Sequence, residues 1–188
     1  KGVKAKTRAC AVLAAAAVVA LSAAGCVNPG VASTRPSGAI SHPVARMPTE
    51  PNVTAVVAFY KPGSPWLWNA DQTRVAGIGV SALYLLGPKG KGVFGDGNIR
   101  PKMFVVETGK DGKKHVRQVK EWVFTVEDAV PWRAKEERPL GWGYGIPLGF
   151  GDVDVSGREI QMVIQFERSD GGLARSSKQT FLVPKASD

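Results

Sequence analysis

Apolar and polar residues alternate most clearly over Glu159–Glu167, and this pattern predicts a half-buried β-strand. In an extended chain successive side chains point to opposite faces, so an alternating segment presents one apolar face and one polar face. The polar face would carry Gln161, Gln165 and Glu167. The apolar face would carry Ile160, Met162, Ile164 and Phe166.

Six further segments of β-branched and aromatic residues predict strands of the same kind. Gly, Pro, Asn and Asp separate these segments, as expected for turns between strands. The segments are Val53–Tyr60, Ile78–Leu86, Lys102–Thr108, His115–Phe124, Gly141–Leu148 and Leu173–Val183.

About seven strands at this spacing predict an all-β domain, an antiparallel β-sandwich that is immunoglobulin-like in the broad sense. A small barrel is the alternative. One short helical turn is predicted over Val126–Val130, because Thr125 and Asp128 have the spacing of a capping box and Pro131 would end the turn. Both cysteines of the chain precede the domain, so the Cys–Trp–Cys arrangement of antibody domains is absent.

The N-terminal region has a different composition. An alanine-rich apolar stretch, Ala9–Ala20, follows four cations and precedes small residues and Cys26. This order is typical of a secretory signal peptide. Val27–Pro51 is rich in Pro, Ser and Gly and has no apolar periodicity, which predicts a disordered tether. We therefore divide the chain into a signal segment, expected to be helical (1–25), a tether (26–51) and a β-sandwich domain (52–188). The four cations are Lys1, Lys4, Lys6 and Arg8.

The segment Leu21-Ser22-Ala23-Ala24-Gly25-Cys26 resembles the lipobox of bacterial lipoproteins. In that family the cysteine sulfur receives a diacylglycerol, and the cysteine becomes the mature N-terminus. The resemblance implies lipidation of Cys26, export, and a membrane anchor; Val27, which is not Asp, implies the outer membrane. Two alternatives are an ordinary signal peptide that leaves Cys26 as a free thiol, and an uncleaved anchor helix. The apolar stretch is shorter than the roughly 20 residues that span a bilayer.

The domain resembles small β-sandwich lipoproteins of bacterial cell envelopes. The similar segments are Glu121–Phe124 before the helical turn, Gly143–Leu148, and the turn at Asp170-Gly171. None of them is a catalytic motif, so the resemblance implies fold and location only. We expect a membrane-anchored, non-catalytic envelope lipoprotein whose domain binds an envelope protein or polysaccharide, or has a structural role, and does not bind nucleic acid. The alternatives are a carbohydrate-binding module and a carboxylate-based hydrolase.

Charge adds one candidate surface. The net charge of +9 falls to +5 for a mature chain that begins at Cys26, because four cations leave with the signal. Several remaining cations flank His115 on one predicted hairpin and could contact anionic lipid headgroups or an acidic polysaccharide. The interpretation that we favour is a solvated hairpin whose lysines deter edge-to-edge pairing. The cations are Lys110, Lys113, Lys114, Arg117 and Lys120.

Aromatic residues near glycines form a second candidate site. Rings beside glycines can make a flat platform on which sugar rings stack. The same large side chains can instead fill the core of a domain that has no disulfide, and we favour this second interpretation. The candidate platform residues are Trp66, Trp68, Trp132, Trp142 and Tyr144.

We expect no metal and no cofactor. Asp152, Asp154 and Ser156 resemble the first half of a calcium-binding loop, but Val163 stands where such a loop needs its bidentate Glu. His115 alone does not make a zinc site or a catalytic triad. The spacing of the acidic residues singles out no catalytic pair. The acids considered for such a pair are Glu107, Glu121, Glu127, Asp128, Asp152 and Asp154.

Overall fold

The structure, a computed structural model, describes residues 42–186. Within that range ten strands form two antiparallel sheets. The strands are β1 (Ala55–Tyr60), β2 (Trp66–Trp68), β3 (Val75–Leu86), β4 (Gly92–Val93), β5 (Gly97–Thr108), β6 (Lys114–Glu121), β7 (Tyr144–Gly149), β8 (Glu159–Arg168), β9 (Leu173–Arg175) and β10 (Gln179–Leu182). The short helices are α1 (His42–Ala45) and α2 (Val126–Ala129), and a 3₁₀ turn, Val130–Trp132, follows α2.

The first sheet is built around the long strand β3. Strands β1 and β2 pair with one edge of β3, and β4 and β7 pair with the other edge. The register places Ile78 opposite Leu148 and Val80 opposite Ile146. These four side chains are almost fully buried, so this face of the sheet points into the core.

The second sheet has the order β10-β8-β5-β6, and β9 also pairs with β8. The alternation predicted for β8 is confirmed, since its four apolar side chains are fully buried and its polar ones are partly exposed. Met162 lies opposite Met103 of β5, which is equally buried. The inner faces of the two sheets share a hydrophobic core. The predicted all-β sandwich is therefore confirmed.

The segment Leu173–Val183, predicted as one strand, is divided into β9 and β10 at Ser176. The Ser176 amide donates to the carbonyl oxygen of Ile164 at 2.8 Å. The Ser176 hydroxyl, instead of a backbone carbonyl, accepts from the Ile164 amide at 3.0 Å. Because a side chain replaces a backbone partner there, the ladder is interrupted and the strand count rises above seven.

Strand β5 begins at Gly97, five residues before the predicted start at Lys102. Pro101 suggests a boundary because proline has no N–H to donate to a ladder. In the structure the Pro101 carbonyl oxygen accepts from the Trp122 amide at 3.0 Å, on the side of β6. In an antiparallel strand the N–H of a residue points to the same side as its carbonyl. The chain just after β6 stays paired here, because Ile99 and Phe124 exchange two backbone bonds. Pro101 therefore leaves one bond of this pairing unmade, and β5 continues through it because the pairing on both sides of Pro101 is kept.

The predicted capping box is confirmed. The Thr125 hydroxyl accepts from the Asp128 amide at 3.2 Å, and the Thr125 amide donates to Asp128 Oδ2 at 3.2 Å. Helix α2 ends at Ala129, one residue before the predicted end. Pro131 does not end the helical structure. It lies in the first turn of the 3₁₀ segment, where a missing N–H is tolerated.

The last ten residues of the predicted tether are packed against the domain. Residues 42–51 include α1, and Val44 is 4% exposed. The Glu50 amide donates to the Phe94 carbonyl oxygen at 2.7 Å, and the Glu50 carbonyl accepts from the Asp96 amide at 3.0 Å. Residues before Asn52 therefore belong to the packed part of the chain. The predicted signal segment, Cys26 and the tether up to residue 41 lie outside the described residues.

Candidate functional site

A groove of about 1130 Å³ lies at one end of the sandwich and contains three of the five predicted platform residues. Its sides are β2, the end of β7, the turn after β7, and the 3₁₀ segment that follows α2. We call it the tryptophan groove. Its aromatic lining residues are Trp66, Trp68, Phe124, Trp132 and Phe150.

Strand β2 supplies two of the indole rings. All three residues of β2 line the groove, and the pairing of β2 with β3 shifts register between Leu67 and Trp68. The Leu67 side chain also lies over Gly79. The Trp66 ring packs edge-to-face on Phe181 at 6.0 Å between centroids. Trp68 remains 41% exposed, so the groove has one supported indole beside one accessible indole.

The third indole, Trp132, is positioned by the capped helical turn. Helix α2 begins at Val126, and its N-cap Thr125 directly follows Phe124. Phe124 is joined to β5 by two backbone bonds with Ile99, each 2.9 Å long. This connection fixes the start of the turn, and the 3₁₀ segment that follows brings Trp132 to the groove.

One wall of the groove is held by two side chains from the end of β6. Trp122 Nε1 donates to the Gly149 carbonyl oxygen at 3.0 Å. Lys120 Nζ donates to the Phe150 carbonyl oxygen at 2.9 Å and lies 5.6 Å from the centre of the Trp122 ring. Both acceptor residues line the groove. Two side chains from the second sheet therefore hold the backbone at the end of β7. This backbone belongs to the first sheet and forms one wall of the groove.

Polar groups lie at the rim of the groove. Asn69 shapes the loop after β2, because its Oδ1 accepts from the Arg74 amide at 3.0 Å and its Nδ2 donates to the Thr73 hydroxyl at 3.2 Å. Arg74 itself is exposed and lines the groove. Between β7 and β8, Asp154 also lines the groove, and its Oδ1 accepts from the Ser156 amide at 3.0 Å. The rim thus combines a guanidinium, a carboxylate and a hydroxyl with the indoles.

The loop after β2 is itself held by Asp71. Its Oδ1 accepts from the Thr73 hydroxyl at 2.6 Å and from the Thr73 amide at 3.0 Å. These bonds lower the pKa of Asp71, since they stabilise the carboxylate. The loop that carries Asn69 and Arg74 is therefore built by local hydrogen bonds.

The structure separates the other two predicted platform residues from this groove. Tyr144 is 3% exposed because it lies on the inner face of β7. Its ring packs on Phe94 at 5.4 Å, and its hydroxyl accepts from the Gly95 amide at 3.2 Å. Burial raises the pKa of Tyr144 to about 12. Trp142 packs on the other side of this cluster, 5.8 Å from Phe94. For these two residues the core interpretation holds, and the predicted five-residue platform is not formed.

The predicted basic cluster is largely compensated by acids. Lys114 pairs with Glu159 at 3.2 Å, and Arg117 pairs with Glu107 at 3.6 Å. Lys113 lies 3.9 Å from Asp111, and His115 lies 3.8 Å from the same carboxylate. Lys120 faces the Phe150 carbonyl, as described above. Lys110, on the turn of this hairpin, is exposed. The hairpin therefore carries mixed charge instead of a continuous cationic surface.

The acidic residues are dispersed over the fold. Glu107 pairs with Arg158 as well as Arg117, and Glu121 pairs with Arg100 at 2.8 Å. Glu127 and Asp128 lie in α2. Within residues 42–186, no three His, Cys, Asp or Glu side chains are grouped so that they could hold a metal ion. Asp152 and Asp154 belong to the turn that leads towards β8.

A buried cation, Arg133, was not anticipated from the sequence. It is 6% exposed, and its Nη1 donates to the carbonyl oxygens of Val44, Ala45 and Met47 at 3.0–3.2 Å. Its guanidinium carbon lies 4.3 Å from the centre of the Phe94 ring. Arg133 directly follows the 3₁₀ segment of the groove, so the same stretch of chain positions Trp132 and holds residues 44–47 against the domain.

Comparison of the chain with protein-family models, curated proteins and solved structures finds no match. Among the helices within residues 42–186, none has the length and apolar character needed to cross a membrane.

Proposed function

We propose that this protein is an exported, non-catalytic binding lipoprotein of the cell envelope, anchored to the outer membrane through a lipid on Cys26. Its binding site is the tryptophan groove. The observation that carries the proposal is the position of Trp66, Trp68 and Trp132 around one groove at the end of the sandwich. Binding sites in proteins are typically concave, mostly apolar, and fitted with a few polar groups.

The chemistry of the groove favours binding over hydrolysis. Glycoside hydrolysis by the common mechanism needs two carboxyl groups that face each other across the substrate. Among the described residues that line the groove, Asp154 is the one acid. Its carboxylate accepts a backbone hydrogen bond from Ser156. A single carboxylate at the rim is suited to orient a ligand.

The anchor rests on the N-terminal sequence. The order of basic residues, apolar stretch and small residues before Cys26 is that of a signal peptide. Residues 21–26, which end at Cys26, resemble a lipobox. Residues 27–41 lie in the sequence between Cys26 and α1, which packs against the domain. Such a spacer would hold the groove away from the membrane surface.

The test of the anchor is the intact mass of the protein extracted from membranes. We expect the wild-type mass to correspond to a chain that begins at Cys26 and carries acyl groups. Cys26→Ala should lose the acyl mass and the membrane association. Cys10→Ala is the matched control, because Cys10 lies in the segment that is removed, and its mature mass should equal that of the wild type. A soluble wild-type protein without acyl groups would refute the anchor.

A further inference from the structure

We propose that the tryptophan groove binds a neutral oligosaccharide. This inference rests on the proposed function of the groove as the binding site and adds the chemical class of the ligand. The argument uses four properties of the groove: its ring faces, its hydrogen-bond donors, its charge and its size.

The first property is the exposed ring surface. Each sugar ring has a C–H face that is apolar, and it has hydroxyl groups around its edge. An indole offers a broad apolar face together with one polar N–H. Trp68 is 41% exposed, and Trp66 and Trp132 are half-buried beside it. The groove therefore presents apolar ring surface on which the C–H face of a sugar can stack.

The second property is the state of the indole N–H groups. Trp122, outside the groove, donates its N–H to the Gly149 carbonyl oxygen. Trp66, Trp68 and Trp132 have no protein acceptor for theirs within residues 42–186. Leaving a donor unpaired when a ligand covers it is unfavourable. A ligand that both stacks on the rings and brings oxygen acceptors to their edges satisfies this condition, and a purely hydrocarbon ligand does not.

The third property is the balance of charge. Among the described residues that line the groove, two are charged: Arg74 is a cation and Asp154 is an anion. An anionic polymer or a phosphate group would require a surplus of cations. The Ser156 hydroxyl, which accepts from the Ala186 amide at 2.7 Å, still has a proton to donate. This set of one cation, one anion and one hydroxyl suits the hydroxyl groups of an uncharged sugar.

The fourth property is size. The groove volume of about 1130 Å³ exceeds the roughly 300–1,000 Å³ of typical small-molecule sites. Its indoles come from two separate elements, β2 and the 3₁₀ segment. Rings supplied from two elements can contact successive units of a chain, so an oligosaccharide fits this groove better than a single sugar.

The experiment measures saccharide binding by isothermal titration calorimetry with the protein extracted from membranes. The probes are three neutral hexasaccharides, maltohexaose, cellohexaose and chitohexaose, and one acidic one, hexagalacturonate. We expect saturable binding of at least one neutral probe and weaker or no binding of the acidic probe. Trp68→Ala should weaken the binding about tenfold, in line with the loss of one aromatic contact. Trp132→Ala should weaken it as well.

Phe59→Ala is the matched control, since Phe59 is an exposed ring at 49% and lies outside the groove. It should bind like the wild type. Urea unfolding of each variant verifies that the fold is retained. The inference is overturned if none of the neutral probes binds, if hexagalacturonate binds more tightly, or if Trp68→Ala binds as the wild type does. Failure here would leave the acyl mass at Cys26 unaffected, so it is distinguishable from failure of the anchor.

Discussion

Trp122 Nε1 donates to the carbonyl oxygen of Gly149 across 3.0 Å, and this bond joins the end of β6 to the end of β7. The two strands belong to different sheets. The bond therefore crosses the sandwich at the point where the tryptophan groove is closed. It also distinguishes Trp122, whose N–H is paired within the fold, from the indoles that line the groove.

Trp122→Phe should lower the free energy of unfolding by about 1 kcal/mol, because it removes this bond and leaves the Gly149 carbonyl oxygen without its partner. Urea denaturation measures the change. Trp68→Phe is the same substitution at an exposed ring and should change stability by less than about 0.5 kcal/mol. Equal stability of Trp122→Phe and the wild type would show that the bond does not hold the wall of the groove.

Arg133→Met should destabilise the protein by about 2–3 kcal/mol, in the range of hydrogen bonds that involve a charged group. The substitution keeps an apolar side chain of similar length but removes the donor shared by three carbonyl oxygens of residues 44–47. Hydrogen exchange should also accelerate at the Glu50 amide, whose bond to Phe94 depends on the packing of this segment.

The control for this prediction is Arg138→Met. Arg138 is exposed, and its guanidinium makes a longer contact of 3.4 Å with the Ser81 carbonyl oxygen. We expect a change below about 0.5 kcal/mol. If the two variants were equally stable, or if exchange at Glu50 did not change in Arg133→Met, Arg133 would not be the residue that holds residues 42–50.

The ion network on the outer face of the second sheet predicts a dependence of stability on pH. Arg100 donates to Glu121 at 2.8 Å and to Glu167 at 2.6 Å. The hydrogen bond from Arg100 lowers the pKa of Glu121 below its ordinary value. Since the folded-state pKa is the lower one, the stabilisation is complete above the unfolded pKa of about 4.3. It is lost as the pH falls through the folded value.

Glu121→Gln should therefore be less stable than the wild type at pH 7, and the difference should shrink towards pH 3. Urea denaturation at a series of pH values measures it. Glu136→Gln is the control, because Glu136 is exposed and has no ion pair within the described part of the chain. Its difference from the wild type should not vary with pH. A difference for Glu121→Gln that stayed constant down to pH 3 would contradict the role of this pair.

Local patterns were sufficient to predict much of the fold. The alternation over Glu159–Glu167 gives one strand face correctly, and the Thr125–Asp128 spacing predicts the capped turn. Both depend on neighbours within a few residues. Strand β2 is not among the predicted strands, because three residues between a proline and an asparagine carry too little pattern. It becomes a strand because the long strand β3 offers it an edge.

The groove and the packed end of the tether could not be predicted in this way. Trp66 and Trp132 lie far apart in the chain and are brought together by the sandwich. Arg133 bonds to carbonyl oxygens 86–89 residues before it, and a segment rich in Pro and Ser has no periodicity that reveals such a partner. The platform prediction could not separate Trp142 and Tyr144 from the groove residues, because composition does not show which ring faces the core.

The central claim is that ligand binds at the tryptophan groove, and the five indole N–H groups of the chain allow a direct measurement. We would record the indole region of a ¹⁵N–¹H correlation spectrum of the labelled protein, assign it with single Trp→Phe variants, and titrate the hexasaccharide that binds. The signals of Trp66, Trp68 and Trp132 should shift together, whereas those of Trp122 and Trp142 should stay in place. Shifts confined to Trp122 or Trp142, or no shift in any indole signal, would contradict the account.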